Sequence, residues 1–366
     1  MTLAGQWIGQ LSGSNNGSAI ADIDDNGTVF RGSACFFDDD ASLPGTVATF
    51  ETRDLSDSQT VEARISPINR MGDVLNISEL PIQYPNTMHG VRADLVLRVV
   101  DGKLHIESKT DIGSIISGIL SPSTSLQPST IEVVQKVGTW REFRDEVLGL
   151  EFGRYIFRGQ RDQKRLRTTF HRTNRSDLIT YRDEDIPTLL HHVNATTQAK
   201  FSTDIPSDTG ALLNLVRHHG YPTPILDWSK SPFVAAYFSY AKAKEGVEKV
   251  RIFRFDRKEW VRQVPQQYKI AFLQPHFSVA ELPVINNVRA LPQQAVATFT
   301  NVDDVEQHIQ LYENHYSSSY IVAYDLPASD RDSALHDLTM MGISAASLFP
   351  GLDGVCETIR QQRFRD

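Results

Sequence analysis

The sequence predicts an α+β protein, with an N-terminal antiparallel β-barrel or sandwich followed by a mixed α/β domain. Residues 1–120 hold short runs of alternating apolar and polar residues, separated by Asn-Gly and Asp-Gly pairs that suit hairpin turns. Residues 136–366 combine extended apolar runs with helical periodicity. Between them, residues 121–135 are rich in Pro and Ser, which predicts a solvated, extended linker.

Composition narrows the class of protein. The chain has 366 residues, of which 40% are hydrophobic and 22% charged, which is ordinary for a globular protein and excludes a disordered one. Its net charge of −8 argues against a general polyanion binder. The acidic excess lies in residues 1–130, which hold 8 basic and 16 acidic residues, against 29 of each in the remainder.

The sequence also indicates where in the cell the protein is expected. The start of the chain has neither the basic nor the apolar segment of a signal peptide, and no stretch is apolar enough for a membrane helix. We therefore expect a cytoplasmic protein with no membrane partner. Cys35 and Cys356 are expected to be free thiols in a reducing compartment.

The N-terminal region has room for seven or eight strands. Its clearest hairpin joins residues 95–100 to residues 103–107 through Asp101-Gly102. Trp7 follows the first glycine of the region and is expected to fill the core of the barrel or sandwich. The pattern does not identify a ligand or partner for this domain.

The second region begins with a helix whose first turn carries a capping pattern at Thr139 and Glu142. A strand is expected over residues 154–160, and a helix from about Thr209 to a C-terminal glycine at Gly220. Residues 222–228 read as extended, and Ser231-Pro232 as the start of the next helix.

A basic tract runs from Arg154 to Arg182, with nine Lys or Arg residues against two aspartates. Either these cations are paired with acids elsewhere in the fold, or they contact a nucleotide or nucleic acid, because arginine binds phosphate through two parallel hydrogen bonds. Arg158 differs from the others because it lies at a predicted strand end beside Gly159, where a phosphate could approach the backbone.

Several standard chemistries are not indicated. His218 and His219 are adjacent, so they do not share a helix face, and no metal site is expected. The chain also lacks the nucleophile-elbow, P-loop and dinucleotide-fold motifs. Asp227 stands at the end of an apolar extended run, where it could cap a helix or take part in chemistry.

Five ordered motifs resemble the FRG domain, which is named for a Phe/Tyr-Arg-Gly sequence. The resemblance covers about Lys136 to Ile359. Its motifs are Phe157-Arg158-Gly159-Gln160, residues 218–229 (HHGYPTPILDWS), residues 235–238 (AAYF), residues 287–294 (NVRALPQQ) and residues 342–354 (GISAASLFPGLDG). The sequence departs from the family pattern at Pro224, at Ala295 and in the displaced Phe299.

The order of these motifs is similar to that of ADP-ribosyltransferases, which implies a related fold and NAD as the substrate. By this likeness Arg158, His218, Asp227 and Gln293 are the candidate catalytic residues. The NAD-binding candidates are Arg158, Gly159, Gln160, Thr223, Trp228 and Ser229. Gln293 would lie on a late strand near the ribose hydroxyls, and because Gln is not a base, His218 or Asp227 would activate the acceptor.

Several functions stay open at this point. An NAD-consuming ADP-ribosyltransferase or NAD glycohydrolase would suit a bacterial toxin or phage-defence effector that modifies a nucleic acid, nucleotide or protein. A non-catalytic module that binds a nucleotide or RNA is the alternative, as is a nuclease-like toxin. In each case we expect Arg158, His218, Asp227, Ser229 and Gln293 to converge on one pocket, over which the acidic N-terminal domain could dock.

Overall fold

The computed structural model describes residues 2–198, 200–203, 205–241, 243, 246–270, 272–285 and 288–364. Its N-terminal part is a closed antiparallel barrel in which each strand pairs with the next and the eighth pairs with the first. The elements in chain order are β1 (Gly5–Gly13), β2 (Gly17–Asp25), β3 (Phe30–Asp38), β4 (Gly45–Glu51), β5 (Ser58–Ile68), α1 (Leu80–Gln83), β6 (Arg92–Val100), β7 (Lys103–Thr110) and β8 (Ile115–Pro122).

The barrel confirms the expected hairpins and excludes the sandwich. Val100 pairs with Lys103, and Asp101 and Gly102 between them both have positive φ angles of 51° and 73°, as a type I′ turn requires. Alternate residues of each strand point inward and form one apolar core. Trp7 belongs to that core, and its indole donates to the carbonyl of Leu3 at 2.9 Å.

The second part of the chain combines six strands with helices. Its elements are α2 (Trp140–Leu148), β9 (Tyr155–Gln160), a short 3-10 turn (His171–Thr173), α3 (Leu178–Thr180), a π-helical turn (Tyr181–Asp185), α4 (Ile186–Thr196), α5 (Pro206–Arg217), β10 (Ile225–Ser229), α6 (Pro232–Ala241), β11 (Lys249–Asp256), α7 (Arg257–Gln263), β12 (Phe277–Ala280), β13 (Ala295–Thr300), α8 (Val305–Tyr316), β14 (Ile321–Pro327), a 3-10 turn (Ala328–Asp330), α9 (Arg331–Met340), α10 (Ala345–Leu348) and α11 (Leu352–Arg363).

The six strands form one antiparallel sheet in the order β12-β13-β10-β9-β11-β14. Its two faces carry separate apolar cores. On one face α2, α6, α9 and α10 pack onto the sheet, and on the other α7 and α8 do so; a third core packs α5 against Ile225 and Phe299. The sheet is therefore a central layer between two helical layers.

Local sequence explains where the helices next to the site begin. Thr139 accepts a hydrogen bond from the amide of Glu142, while the Glu142 carboxylate accepts from the amide of Gly138, one residue before the expected partner. Ser231 accepts from the amide of Val234 at the start of α6. Gly220 follows α5 with a φ of 86°, as expected for a helix-ending glycine.

The stretch of residues 121–135, predicted as a solvated, extended linker, is largely exposed but is attached to the second domain along its length. Strand β8 continues to Pro122, and the serines and threonines beyond it are bound to the acidic loop before α8. Ser123 and Ser125 donate to Asp303 at 2.8 and 2.7 Å, and Ser129 donates to Glu306 at 2.8 Å. Hydroxyl side chains therefore anchor the first part of this stretch, while Ile131 and Val133 near its end pack against an apolar core of the second domain.

The barrel packs directly on the second domain. Gln6 in β1 donates to the carbonyl of Asn301 and accepts from the amide of Asp303, at 2.7 and 2.9 Å. Asp24 in β2 forms an ion pair with Arg175 at 2.8 Å. Apolar contacts join Leu273 to the outer face of the barrel. Within the described chain, no helix is long and apolar enough to cross a membrane.

Candidate functional site

The sheet of the second domain is incompletely paired at its centre. Strands β9 and β10 are neighbours, yet they are paired at one position only, where Ser229 lies opposite Phe157. Beyond that pair, the side chain of Arg158 reaches across and donates from Nη1 to the backbone carbonyl of Asp227 at 2.6 Å. A cavity of about 830 Å³ lies at this gap, within the size range of small-molecule sites.

The predicted site residues converge here with one exception. The cavity is lined by eight of the nine predicted residues: Arg158, Gly159, Gln160, His218, Asp227, Trp228, Ser229 and Gln293. Thr223 is fully buried and does not line it. Its amide donates to the hydroxyl of Thr169 at 2.9 Å, which ties the approach to β10 to a neighbouring loop.

Arg158 is a cation without a carboxylate partner. None of the described carboxylates lies within ion-pairing distance, and its Nε is buried without a hydrogen-bond partner. Burial lowers the pKa of Arg158 to about 10; Arg172 and Arg217 lower it further, against the opposing charge of Asp227. Such a guanidinium is poised to gain from a bound anion.

Arg217 and Asp227 form the second feature of the site. Nη1 of Arg217 lies 2.7 Å from the Asp227 carboxylate, and Nη2 donates to the side-chain oxygen of Asn214 at 2.8 Å. Nη2 also lies 3.2 Å from Nε2 of His218. Burial, followed by the charge of Arg217, lowers the pKa of His218 to about 4, so this imidazole is neutral at pH 7.

A further group of cations lies on the loop after β9. Arg172 donates to the side-chain oxygen of Gln160 at 3.4 Å, and burial, together with nearby Arg167 and Arg161, lowers the pKa of Arg172. Arg161 and Lys164 also line the cavity, each beside Asp162. The described lining holds eight Lys or Arg residues but only two carboxylates, Asp162 and Asp227.

The remaining cations of the basic tract are paired inside the protein. Arg154 bonds Asp256, Arg175 bonds Asp24 and Asp185, and Arg182 bonds Asp183. Arg165 and Arg167 line the cavity but are held from behind by Asp304 and Asp303. About half of the cations in the tract therefore form ion pairs within the protein, whereas those around Arg158 face the cavity.

Three of the predicted ligand-binding residues also have structural roles. Gly159 is required for packing, because a Cβ there would lie 1.9 Å from the carbonyl oxygen of Ala235 in α6. The hydroxyl of Ser229 donates to the carbonyl of Gln293 at 2.8 Å and accepts from the amide of Ser231, so it joins two backbone segments. The indole of Trp228 donates to Thr298 inside the core.

Gln293 lies in the turn before β13 and not on a strand, which corrects the prediction. The turn places Gln294 at a φ of 47°, and Ala295 then begins the pairing with Ser229. The Gln293 side chain donates from Nε2 to the carbonyl of Leu348 at 3.0 Å. Asn287 of the same motif lies outside the described residues.

The acidic barrel does not cover the site. Its contacts with the second domain run through Gln6, Asp24 and the outer apolar face, and the described cavity lining includes no residue of the eight strands. From the N-terminal side only Ser125, Leu126 and Gln127 reach the cavity. Docking over the basic cleft, suggested by the charge imbalance, is therefore not what the structure shows.

Sequence reasoning missed several residues of the site. Arg217 and Arg289 line the cavity, as do the rings of Phe238 and Phe349. Each stands inside or next to one of the five motifs, so proximity to those motifs was the available signal. No group of three or more His, Cys, Asp or Glu residues suited to a metal ion occurs in the described part of the chain.

One family model matches the segment of the chain that forms the centre of this site. Residues 153–248 match the family model of the FRG domain, and this segment holds three of the five motifs, whereas residues 287–294 and 342–354 lie beyond it. The matched residues run from the turn before β9 to the residue before β11 and include Arg158, His218 and Asp227. No curated protein and no solved structure shows a significant match to the chain.

Proposed function

We propose that the FRG domain binds NAD in the basic cavity and cleaves its bond between nicotinamide and ribose, acting as an ADP-ribosyltransferase or NAD glycohydrolase. The observation that carries the proposal is Arg158, a guanidinium at the gap in the sheet with a buried Nε that has no partner and no described carboxylate at ion-pairing distance. A pyrophosphate would supply both the missing charge and the missing acceptor.

The volume of the cavity and its charge suit such a ligand. About 830 Å³ accommodates a dinucleotide, and the surplus of cations matches two phosphates. Arg158 and Arg172 would hold the pyrophosphate, which fixes the position of the sugar to be cleaved. The Gln293 amide is oriented by its bond to Leu348, which leaves its oxygen available to accept from a ribose hydroxyl.

The bond cleavage requires positive charge to develop at the ribose. When the carbon–nitrogen bond breaks, nicotinamide leaves as a neutral molecule and the sugar becomes an oxocarbenium-like cation. Asp227 is the carboxylate suited to stabilise that cation, since 52% of its side chain is exposed while Arg217 holds it in place. The acceptor oxygen then bonds to the sugar, and its proton passes to Asp227 or His218, both of which line the cavity.

A non-catalytic nucleotide-binding or RNA-binding module is the second candidate. Two observations favour it: His218, with a pKa lowered to about 4, is a weak base, and the hydroxyl of Ser229 is bonded within the backbone. Under this alternative the same cations bind phosphate, but no bond is broken.

Incubation with NAD labelled on its adenylate half, followed by analysis of nicotinamide release and label transfer, tests both candidates. Label on protein or nucleic acid supports a transferase. Nicotinamide release without transfer supports a glycohydrolase. Saturable NAD binding without either supports the binding module, and the absence of NAD binding contradicts the enzyme. Growth of cells that express the wild type or an Arg158→Ala variant tests the role of a toxin or defence effector.

A further inference from the structure

Two phenyl rings stand out in the largely cationic lining of the cavity. Phe238 comes from α6, and Phe349 from the turn between α10 and α11. Both side chains are only partly buried, whereas Val234, Ala235 and Ala236 of the same helix α6 are in the core. Phe349 lies about a hundred residues beyond the matched FRG segment, so the cavity is completed by a separate part of the chain.

The two rings form a wall with defined geometry. Their centroids are 5.9 Å apart, and the planes are inclined by 82°, which is an edge-to-face contact. The guanidinium of Arg289 lies over Phe349, 5.5 Å from the ring centroid. The backbone at Phe349 is fixed, because Gln293 donates to the carbonyl of Leu348 and the amide of Phe349 donates to the carbonyl of Ala345.

This wall differs chemically from the rest of the cavity. Around Arg158 and Arg172, guanidinium groups suit phosphate oxygens. At Phe238 and Phe349, aromatic side chains line the cavity beside the guanidinium of Arg289, and this surface suits a flat aromatic heterocycle better than a charged group. A ligand that satisfies both ends carries phosphate at one end and an aromatic base at the other.

We propose that Phe349, supported by Phe238 and Arg289, forms a base-stacking subsite that makes the cavity selective for a nucleotide over inorganic pyrophosphate or a sugar phosphate. This inference rests on the proposed function, because it places the base of the nucleotide whose phosphates Arg158 binds. Phe349 is then a specificity-determining residue, and the segment between α10 and α11 is part of the ligand site.

Calorimetric titration of the full chain with ADP and with inorganic pyrophosphate tests the subsite. A Phe349→Leu variant keeps an apolar side chain but removes the ring, so we expect ADP affinity to fall about tenfold while pyrophosphate affinity is unchanged. A Phe349→Trp variant should restore ADP binding. Phe152→Leu is the matched control, because that ring is fully exposed and lies outside this cavity.

The outcomes separate this inference from the proposed function. Equal ADP affinity in the Phe349→Leu variant and the wild type overturns the stacking subsite, while pyrophosphate binding that depends on Arg158 would still support the phosphate site. Equal losses for ADP and pyrophosphate, or a fall in melting temperature that Phe349→Trp does not rescue, would assign Phe349 a structural role and also overturn it. If the wild type binds neither compound, the stacking subsite is overturned, and the NAD assay alone decides the proposed function.

Discussion

Arg217 and Asp227 form an ion pair of unequal exposure at the wall of the cavity. The two groups are 2.7 Å apart, and the side chain of Arg217 is 5% exposed, against 52% for Asp227. The arginine thus supports the site from inside, and the carboxylate faces the cavity. His218 lies beside the same guanidinium, so the charge of this pair also controls the protonation of the imidazole.

Substitutions in this pair should shift the pKa of His218 in opposite directions. Arg217 lowers the pKa and Asp227 raises it. We therefore expect Arg217→Gln to raise the pKa from about 4, and Asp227→Asn to lower it. Imidazole chemical shifts measured against pH check this, and shifts of the same sign in both variants would contradict the arrangement.

Asp227→Asn should also destabilise the domain, because it leaves the buried guanidinium of Arg217 without its charge partner. We expect a loss of about 1–3 kcal/mol in the free energy of unfolding, measured by urea denaturation. Asp332→Asn is a suitable control, since that carboxylate is 98% exposed. An unchanged stability would mean that the pair contributes little to the fold.

Replacing Arg158 should remove ligand binding without unfolding the protein. Its side chain makes one hydrogen bond, to the carbonyl of Asp227, and its charge is desolvated without a described carboxylate partner. Arg158→Met should leave the melting temperature within a few degrees of the wild type and abolish stabilisation by added nucleotide. Arg158→Lys keeps the charge but loses the two parallel hydrogen bonds that a guanidinium donates to phosphate. The free energy of nucleotide binding should therefore weaken by about 1.5 kcal/mol.

Thermal denaturation with and without NAD measures both effects. Arg141→Met is the matched control, because Arg141 is exposed on α2 away from the cavity. A collapsed melting temperature in Arg158→Met would show instead that Arg158 maintains the fold at the gap between β9 and β10.

Gly159→Ala should destabilise the domain strongly. The new Cβ would lie 1.9 Å from the carbonyl oxygen of Ala235, so α6 would have to move away from the sheet. We expect a loss of about 3 kcal/mol in urea denaturation. Gly149→Ala is the control, because its Cβ would meet an atom at an ordinary 3.5 Å; equal stability of the two variants would contradict the packing role.

Acidification should destabilise the protein below about pH 6.5, because buried histidines are held neutral. Burial lowers the pKa of His171 and His308 to about 4 and of His276 to about 3. The unfolded chain binds protons at these sites at higher pH than the native state does, so stability is lost as the pH falls. Asp22 has the opposite effect on stability. Burial raises its pKa, so the native state binds this proton more tightly than the unfolded chain does and is stabilised as the pH falls.

Urea midpoints between pH 7 and pH 5 measure this dependence. His308→Phe should flatten it, because it removes one imidazole that is buried and whose Nε2 has no partner. His315→Phe, at an exposed position on the same helix, should not. An unchanged slope in the His308 variant would assign the acid sensitivity to other groups.

Gln6 should couple the barrel to the FRG-containing domain. Its side chain bonds Asp22 within the barrel and Asn301 and Asp303 outside it, and it is 2% exposed. Gln6→Leu leaves these groups without partners, so we expect one calorimetric unfolding transition for the wild type and two for this variant. The exposed Gln10→Leu is the control; one transition in both variants would contradict the coupling.

The sequence by itself determined the elements and the motifs. Asp101-Gly102 has the residue types of a type I′ turn, and Ser231-Pro232 has those of a helix start, so short-range chemistry located both. Arg158, His218, Asp227 and Gln293 were likewise found as site candidates from motifs, and all four line the cavity. Local preferences sufficed for the turn and the helix start, whereas the four site candidates came from the resemblance of the motifs to known families.

Only the tertiary structure determines which polar side chains already have hydrogen-bond or ion-pair partners within the protein. Pairings such as Arg175 with Asp24, Ser123 with Asp303 and Gln293 with Leu348 join residues about 55 to 180 positions apart, and no local pattern records them. The anchored Pro/Ser stretch and the packing role of Gly159 arise in the same way. A side chain is available to a ligand only after the fold has satisfied its buried hydrogen bonds and charges, and those partners are set by long-range packing.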